Sequence, residues 1–569
     1  MSASNSPILP ELSPRQLLAS AILESVRVAI TKGDLPGELS SNPALDEITL
    51  ERPKNREHGD YATSIALALA KGAGKAPRQI AEIISSALKS NEIIQRIDIA
   101  GPGFINITLA KASQGAVVKS ILAQGEKYGQ VNVLSGVRIN LEFISANPTG
   151  PLHLGHTRWA AVGDALARVL IAGGAQVTRE FYINDRGNQM DLFGASLVAS
   201  ALGQDRPEDG YQGQYIDDLA QEILIMHPEY ERLSGQSAIE SFREAGYGLQ
   251  LAQQQRVLDN FGTHFDIWFS ERSLHSGDGI DRALETLKSQ GHTYREDGAL
   301  WLRTTDFGDD KDRVLVKSAG ELTYFSSDTA YYLDKRRRGF DVCIYMLGAD
   351  HHGYVGRLKA TAACAGDDPE YNIEVLIGQL VKIVEGGQEI KLSKRAGTII
   401  TLEELVEKVG VDATRYSLIR HPVDTSMVLD IDLLKKRTND NPVFYVQYAH
   451  ARICAVLRNA KDLSVKYGSS SYQAELLTHE RERELLGGLA EFPRVVASAA
   501  ELRQPHRIAR YIEQLATLYH GFYNDCRVLP LGDEAAGAIH SSRASLCDAT
   551  RQVISNALDL LGVSAPEKM

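Results

Sequence analysis

Residues 137–183 constrain this chain more than any other stretch. Residues 137–144, VRINLEFI, are rich in β-branched and aromatic side chains and stop at Asn147-Pro-Thr-Gly-Pro151, a cluster of turn formers. Val162, Ala165, Leu166, Val169 and Leu170 then recur at i, i+3, i+4, i+7 and i+8, one apolar stripe of a helix that Gly173-Gly174 ends. Residues 176–183, QVTREFYI, alternate like a strand. Strand, helix and strand at this spacing make a βαβ unit, whose ligands bind beyond the carboxyl ends of its strands. The predicted fold class is therefore α/β, a Rossmann-type parallel sheet with insertions.

A chain of 569 residues has room for three or four domains. Residues 13–112 mix helical stretches at 15–30 and 77–88 with short strands and end in IDIAGPGFINI, which reads as a small α+β domain. Residues 125–136 look like a linker. The nucleotide fold is expected over 126–435, with insertions across 205–345 that include helical runs at 215–226 and 252–261. A strand at 341–347 and a helix at 355–365 restore the alternation. From Thr401, which forms a capping box with Glu404, the pattern reads as wholly helical. Ile508, Tyr511, Ile512, Leu515, Leu518, Tyr519 and Phe522 make a broad apolar stripe, so 441–569 is expected to be an all-α bundle.

Composition narrows the class further. With 61 Lys+Arg against 73 Asp+Glu the net charge is −12, which excludes a uniformly cationic nucleic-acid coat but not a local basic track. Five cysteines lie far apart without a C-x-x-C pair, so neither a zinc ribbon nor a disulfide framework is indicated. A reducing, cytoplasmic setting is expected. The first residues lack a basic and apolar leader, and the most apolar helical stretch, 160–177, contains Asp164 and Arg168, so no membrane segment is expected.

His153-Leu-Gly-His156 falls just after the first strand, at the mouth of the helix. With 15 His and 48 Gly, about 0.03 chance copies of H-x-G-H are expected in such a chain. A helix start offers unpaired N–H groups and a positive dipole end to phosphate, and Gly155 lets a flat adenine approach the backbone. Two imidazoles on one helical face can both donate to a triphosphate. The plainer alternative is a locally satisfied pair of helix-start histidines; a metal site would lack nearby Cys or Glu ligands. A second signal, Lys391-Leu-Ser-Lys-Arg395, lies between a hairpin and the capped helix. Its cations can neutralise charge developing on a pyrophosphate leaving group, although alone such a run reads more simply as a solvated loop.

Together the two motifs resemble the HIGH and KMSKS signatures of class I aminoacyl-tRNA synthetases, with Leu154 for Ile, Leu392 for Met and Arg395 for the last Ser. The wider context resembles the arginyl-tRNA synthetase family over nearly the whole chain. It consists of Glu142 to His153 (EFISANPTGPLH), Asn184 to Gln189 (NDRGNQ), Tyr324 four residues before Asp328, Gly348 to Tyr354 (GADHHGY), Asp412 to Tyr416 (DATRY), and the runs at 101–106, 441–450 and 560–569. The resemblance implies an ATP-dependent ligase. Such an enzyme makes arginyl-adenylate and pyrophosphate from L-arginine and ATP, then transfers arginine to the 3′-terminal ribose of tRNA(Arg).

It also assigns roles. His153, His156, Lys391 and Lys394 would be catalytic, and Gly155 and Ser393 would join them in binding ATP. Glu142 and Asp328 would hold the guanidinium, with Tyr324 beside it and Asn147 at the backbone end of the amino acid. A guanidinium is permanently charged and presents a planar fork of donors, which suits paired acidic groups. The bland readings are an edge-strand carboxylate in water for Glu142 and a helix cap for Asp328. Phe104 and Asn106 would read a D-loop base by stacking and an edge hydrogen bond. Tyr445, Tyr448 and Met569 would lie near the anticodon, although Phe104 and the two tyrosines equally suit ordinary packing. Lys435, Lys436, Arg437 and Arg452 would supply phosphate contacts.

The resemblance thus divides the chain into a D-loop-contacting module at 13–112, a catalytic module at 126–435 and an anticodon-binding module at 441–569. Expected partners are tRNA(Arg), arginine and ATP with Mg2+ as the substrate complex. No permanent cofactor, metal site or membrane is expected, and the oligomeric state, left open by the residues, is expected to be monomeric. Two rivals remain open: an H-x-G-H nucleotidyl transferase acting on a small acid, against which the helical C-terminal third speaks, and an RNA-binding relative without catalysis, against which the intact His and Lys pairs speak.

Overall fold

The structure, a computed structural model, describes residues 14–46, 48–53, 58–390 and 400–569. Near the N-terminus, strands β1 (Tyr61–Thr63), β2 (Ile94–Ala100) and β3 (Phe104–Leu109) form an antiparallel sheet with β3 central. Alternate residues of β3, Ile105, Ile107 and Leu109, join Leu18 and Ile22 of helix Pro14–Thr31 and Ile80 and Ile84 of helix Pro77–Leu88 in one core. Phe104 and Asn106 fall on the opposite face.

Helix Lys111–Gln124 follows, an element the sequence pattern does not announce; its Val117, Val118 and Ile121 sit in the large central core. The linker expected at 125–136 is instead packed. The Tyr128 hydroxyl donates to the Leu489 carbonyl at 3.0 Å, and the Val131 N–H donates to the Ala172 carbonyl at 2.8 Å.

Strands β4 (Arg138–Glu142), β5 (Gln176–Ile183) and β6 (Ile267–Ser270) come next in the chain, and an insertion carries the small antiparallel sheet β7 (Thr293–Glu296), β8 (Ala299–Leu302) and β9 (Arg313–Val316). With β10 (Val342–Gly348) and β11 (Ile373–Gly378), the main sheet has the order β11-β10-β4-β5-β6, all parallel. The chain winds outward from β4 to β6 and returns to place β10 on the other side of β4. The switch point, where a ligand crevice forms, therefore lies beyond the carboxyl ends of β4 and β10. Helix Leu154–Ala172 crosses from β4 to β5, and a Cβ at its Gly163 would collide with the Phe143 ring, so only glycine allows this close approach.

The hairpin β12 (Val381–Glu385) and β13 (Gln388–Glu389) turns at Gly386 and Gly387, both in the left-handed region at φ 59° and 72°. β14 (Met427–Asp430) pairs parallel with β12. The chain is therefore not wholly helical after Thr401: MVLD alternates buried and exposed residues, a strand pattern too short to stand out among helices. Beyond it, helices Pro442–Asp462, Glu480–Ala490, Phe492–Glu501, His506–Asp525 and Ala538–Leu560 form the expected bundle. Its apolar stripe shares one continuous core with the main sheet, so the bundle is docked rather than tethered. The inserted helix Gly235–Asn260 is much longer than the run expected at 252–261. Among the described residues no helix is long and apolar enough to cross a membrane.

Candidate active site

The chain leaves β4 through Ile144 and Ser145, two non-glycine residues at φ 70° and 45°. Left-handed backbone at such residues is costly and persists only where the surroundings impose it. Here it aims Ser145, whose hydroxyl donates to Glu142 Oε1 at 2.9 Å and accepts the Tyr182 N–H at 3.2 Å. The next turn delivers His153 to the helix start. His153 Nδ1 accepts the Gly155 N–H, and His156 Nδ1 accepts the His153 N–H, each at 3.2 Å. The rings stack with centroids 3.9 Å apart. Two accepting Nδ1 atoms place the proton of each neutral ring on Nε2. Local capping therefore fixes the orientation of both imidazoles. A Cβ on Gly155 would press on the His153 ring at 3.1 Å.

Lys391, Ser393 and Lys394 lie outside the described residues, but both anchors of their segment are visible. Before it, the Ile390 N–H donates to the Ile383 carbonyl at 2.9 Å. After it, Leu154 N–H donates to Ile400 O at 3.2 Å, Leu402 N–H donates to Leu152 O at 2.9 Å, and His153 faces Thr401 in a β-bridge. The strand pairing thus ties the far end of the cationic segment to the first motif. Thr401 and Glu404 form the expected capping box.

Glu142 does not sit on an edge strand. β4 is flanked by β10 and β5, the side chain is buried, and Lys335 Nζ lies 2.5 Å from its Oε2. Asp328 lies within helix Tyr324–Arg337, one turn past Tyr324, and is not a cap. The Tyr354 hydroxyl donates to its Oδ2 at 3.0 Å. Burial pushes the Asp328 carboxyl up to about 6; Tyr354 and Arg357 oppose the rise, while the charges of Glu271 and Glu142 add to it. Glu271, which follows the carboxyl end of β6, is itself buried and raised, first by desolvation. Sequence reasoning missed it, although a carboxylate just past a sheet strand is a legible signal.

Tyr324 is 76 % exposed at the rim of a cleft of about 420 Å³ that Glu271, Ser327, Arg186 and Lys317 also line. Asn147 Nδ2 donates to Gln189 Oε1 at 2.5 Å, and Gln254 pins the turn by donating to the Asn147 and Gly150 carbonyls. Carboxylates crowded in a low dielectric with raised pKa values favour a ligand whose positive charge cannot be titrated away.

The remaining candidates lie elsewhere. Phe104 is 41 % exposed, whereas Asn106, on the same face, is covered at 6 %. Tyr445 shares a 3.0 Å hydrogen bond with Thr517. Tyr448 is exposed and stacks on Phe444, ring centres 5.9 Å apart and planes 8° from parallel. Phe444 in turn lines a cleft of about 790 Å³ with Lys435, Lys436, Arg437 and the exposed Met569. Burial and Arg452 lower His520, beside both tyrosines, to about 4, so its ring is a neutral part of this aromatic platform.

Residues 117–420 match the model described as tRNA synthetases class I (R), catalytic domain, which places the parallel sheet and its H-x-G-H helix in that class. Residues 16–109 match the arginyl tRNA synthetase N terminal domain, and 446–569 match the DALR anticodon binding domain. The chain is 53 % identical to an arginine–tRNA ligase of Frankia alni over 97 % of its own length and 99 % of that protein's. It is likewise 53 % identical to one of Renibacterium salmoninarum with the same coverage. A solved putative arginyl-tRNA synthetase of Campylobacter jejuni superposes with a TM-score of 0.73 at 31 % identity, covering 81 % of this chain and all of that one. The Thermus thermophilus arginyl-tRNA synthetase, at 22 % identity, shares the fold with a TM-score of 0.73 over 98 % of this chain and all of its own. The chain belongs to the arginyl-tRNA synthetase family.

Proposed function

We propose that the residues placed above divide the work of arginine–tRNA ligation. In the first step an arginine carboxylate oxygen attacks the α-phosphorus of ATP, the bond to the bridging oxygen of the β-phosphate breaks, and pyrophosphate leaves. In the second, the terminal ribose hydroxyl of tRNA(Arg) attacks the arginyl carbonyl, and AMP leaves. The observation that carries this reading is a cluster of three carboxylates, Glu142, Asp328 and Glu271, at the same strand ends that deliver His153 to a helix start, with Glu271 and Tyr324 lining the adjoining cleft.

Glu142 and Asp328 hold the guanidinium, Tyr324 covers it from the rim, and Asn147 meets the backbone end. His153, Gly155 and His156 receive the triphosphate, which enters as its Mg2+ complex, and Lys391, Ser393 and Lys394 supply charge and hydrogen bonds to its phosphates. Positioning and charge stabilisation supply the rate, with no covalent enzyme intermediate. Lys394→Ala is expected to lower kcat by about ten- to a hundredfold, because Lys391 and Arg395 cover part of the charge, with little change in the KM for arginine. An unchanged kcat would remove Lys394 from the mechanism.

The work follows the units 13–112, 126–435 and 441–569, in a cytoplasmic monomer. Phe104 stacks on a D-loop base with Asn106 behind it, while Tyr445, Tyr448 and Met569 receive the anticodon loop. A cleft of about 880 Å³ between the N-terminal domain and the bundle carries Arg52, Arg494, Arg507 and Arg510 against Glu51 and Glu491, the latter paired with Arg494, a net positive lining that gives an acidic protein a local track for phosphates. Replacing Arg507 and Arg510 together by Ala is expected to weaken tRNA binding across all sequences and to reduce the salt slope by about two, leaving the KM for arginine unchanged. A filter-binding titration at several salt concentrations reads this; an unaltered slope would move the RNA elsewhere.

A further inference from the structure

Along helix Tyr324–Arg337, Tyr324, Asp328, Tyr331 and Lys335 follow at i, i+4, i+7 and i+11, one face three turns long. Lys335 ends this face and is fully buried. Its ammonium lies 2.5 Å from Glu142 Oε2, 4.3 Å from the Tyr331 ring centre and 3.9 Å from that of Tyr345. Lysine is almost never fully buried, and taking its charge out of water is expensive even with a partner. The two ring faces repay part of that cost.

The nearby carboxylate of Glu180 also feels this cation, but its hydrogen bonds go to other groups. Glu180 is held by two Arg338 hydrogen bonds at 2.5 and 2.9 Å, by the Tyr331 hydroxyl at 2.6 Å and by Asn140 at 3.0 Å. Glu142 has a different environment. Its Oε2 meets Lys335 and its Oε1 meets the Ser145 hydroxyl, while the negative charges of Asp328 and Glu271 lie within the same field. Like charges this close disfavour one another; Arg357 acts on Asp328 and Arg186 on Glu271, while Lys335 touches Glu142.

We propose that Lys335 is a positioning residue for arginine: its ammonium pins Glu142 Oε2 to the helix that carries Asp328 and sets the span between the two carboxylates. One oxygen of Glu142 is thereby committed internally, so the guanidinium meets Oε1 of Glu142 and the open oxygen of Asp328. This rests on the reading that these two residues hold the guanidinium. The groups around the pair are Glu142 from β4, Glu180 and Tyr182 from β5, Cys343 and Tyr345 from β10, Tyr331 from the helix itself and Arg338 just past its end. Arg338 is spoken for by Glu180, and burial pushes the ionisations of the tyrosines and the cysteine up, so none of them replaces the ammonium.

Lys335→Met keeps the stem and removes the charge. It is expected to raise the KM for arginine at least about tenfold while leaving that for ATP within about twofold, and to move the acid limb of kcat/KM for arginine to higher pH. Equal rises in both KM values would indicate a merely structural lysine and overturn the proposal. Because stranding Glu142 threatens folding, the second comparison is Glu142→Gln against Glu142→Gln/Lys335→Met. With Glu142 neutral there is nothing left to pin, so the two should share one KM for arginine; a further tenfold rise in the double variant would contradict the pin. If Glu142→Gln raises that KM but Lys335→Met does not, the proposal alone fails. If Glu142→Gln leaves it unchanged, the guanidinium reading of Glu142 fails and takes the proposal with it.

Discussion

Asp328→Asn is expected to raise the KM for arginine by roughly two orders of magnitude, about 3 kcal/mol of lost charge-assisted contact, with little effect on that for ATP. Asn keeps the shape and its carbonyl oxygen but supplies no charge to a permanently cationic ligand. The same residue predicts a pH dependence. With its carboxyl near 6 in the free protein, arginine capture weakens as pH falls below that value, and Asp328→Asn should abolish this limb.

Stability should move the other way. The folded-state value lies above the ordinary 3.8, so the native state holds this proton more tightly than the unfolded chain. The charged carboxylate therefore destabilises the arginine-free fold above about pH 6, and that burden fades as pH falls toward 4. Asp328→Asn removes it, so the variant's unfolding midpoint at pH 7.5 should equal or exceed that of the parent protein. A proportional rise in both KM values, together with a lower midpoint, would make Asp328 structural.

The largest stability effect is expected at Arg415, which is fully buried where three parts of the chain meet. Its guanidinium donates to Asp164 at 2.6 Å on the helix that His153 starts, to the Phe261 and Gly262 carbonyls at 3.0 and 3.2 Å, and to the Leu561 carbonyl at the end of the last helix. A Cβ on Gly562 would collide with it, so the chain closes tightly around the group. Arg415→Met would leave these carbonyls unpaired. Asp164 keeps Arg168 at 2.7 Å, which limits the damage. The expected loss is still about 3–5 kcal/mol, visible as a lower urea midpoint with the bundle loosened from the sheet. A shift under about 1 kcal/mol would show that water replaces the fork without cost.

Much of this was legible beforehand. Strong periodicity placed the Pro77–Leu88 and Leu154–Ala172 helices and the Gln176–Ile183 strand, because each has an apolar face that must be buried. What failed was non-local. β14 exists because β12 offers it a partner, and helix Lys111–Gln124 because the bundle covers it. The helix Gly235–Asn260 hid behind its glutamines. In the site, Lys335 sits at the head of a Lys-Arg-Arg-Arg run that reads as a solvated charge cluster, and only the fold reveals that one of the four is buried against Glu142. For Glu142 the motif resemblance pointed to the guanidinium, while the residues alone equally suited an edge strand, because only the return of β10 beside β4 makes that strand central.

The site's carboxylates are expected to select arginine for activation on ATP. Isotopic exchange between pyrophosphate and ATP tests it most directly, run with arginine, with lysine and with no amino acid, each in the presence and absence of tRNA(Arg). Arginine-dependent exchange is expected with tRNA present, none with lysine, and near loss of exchange in Asp328→Asn at subsaturating arginine. Absence of exchange under every condition, or equal exchange with lysine, would contradict it.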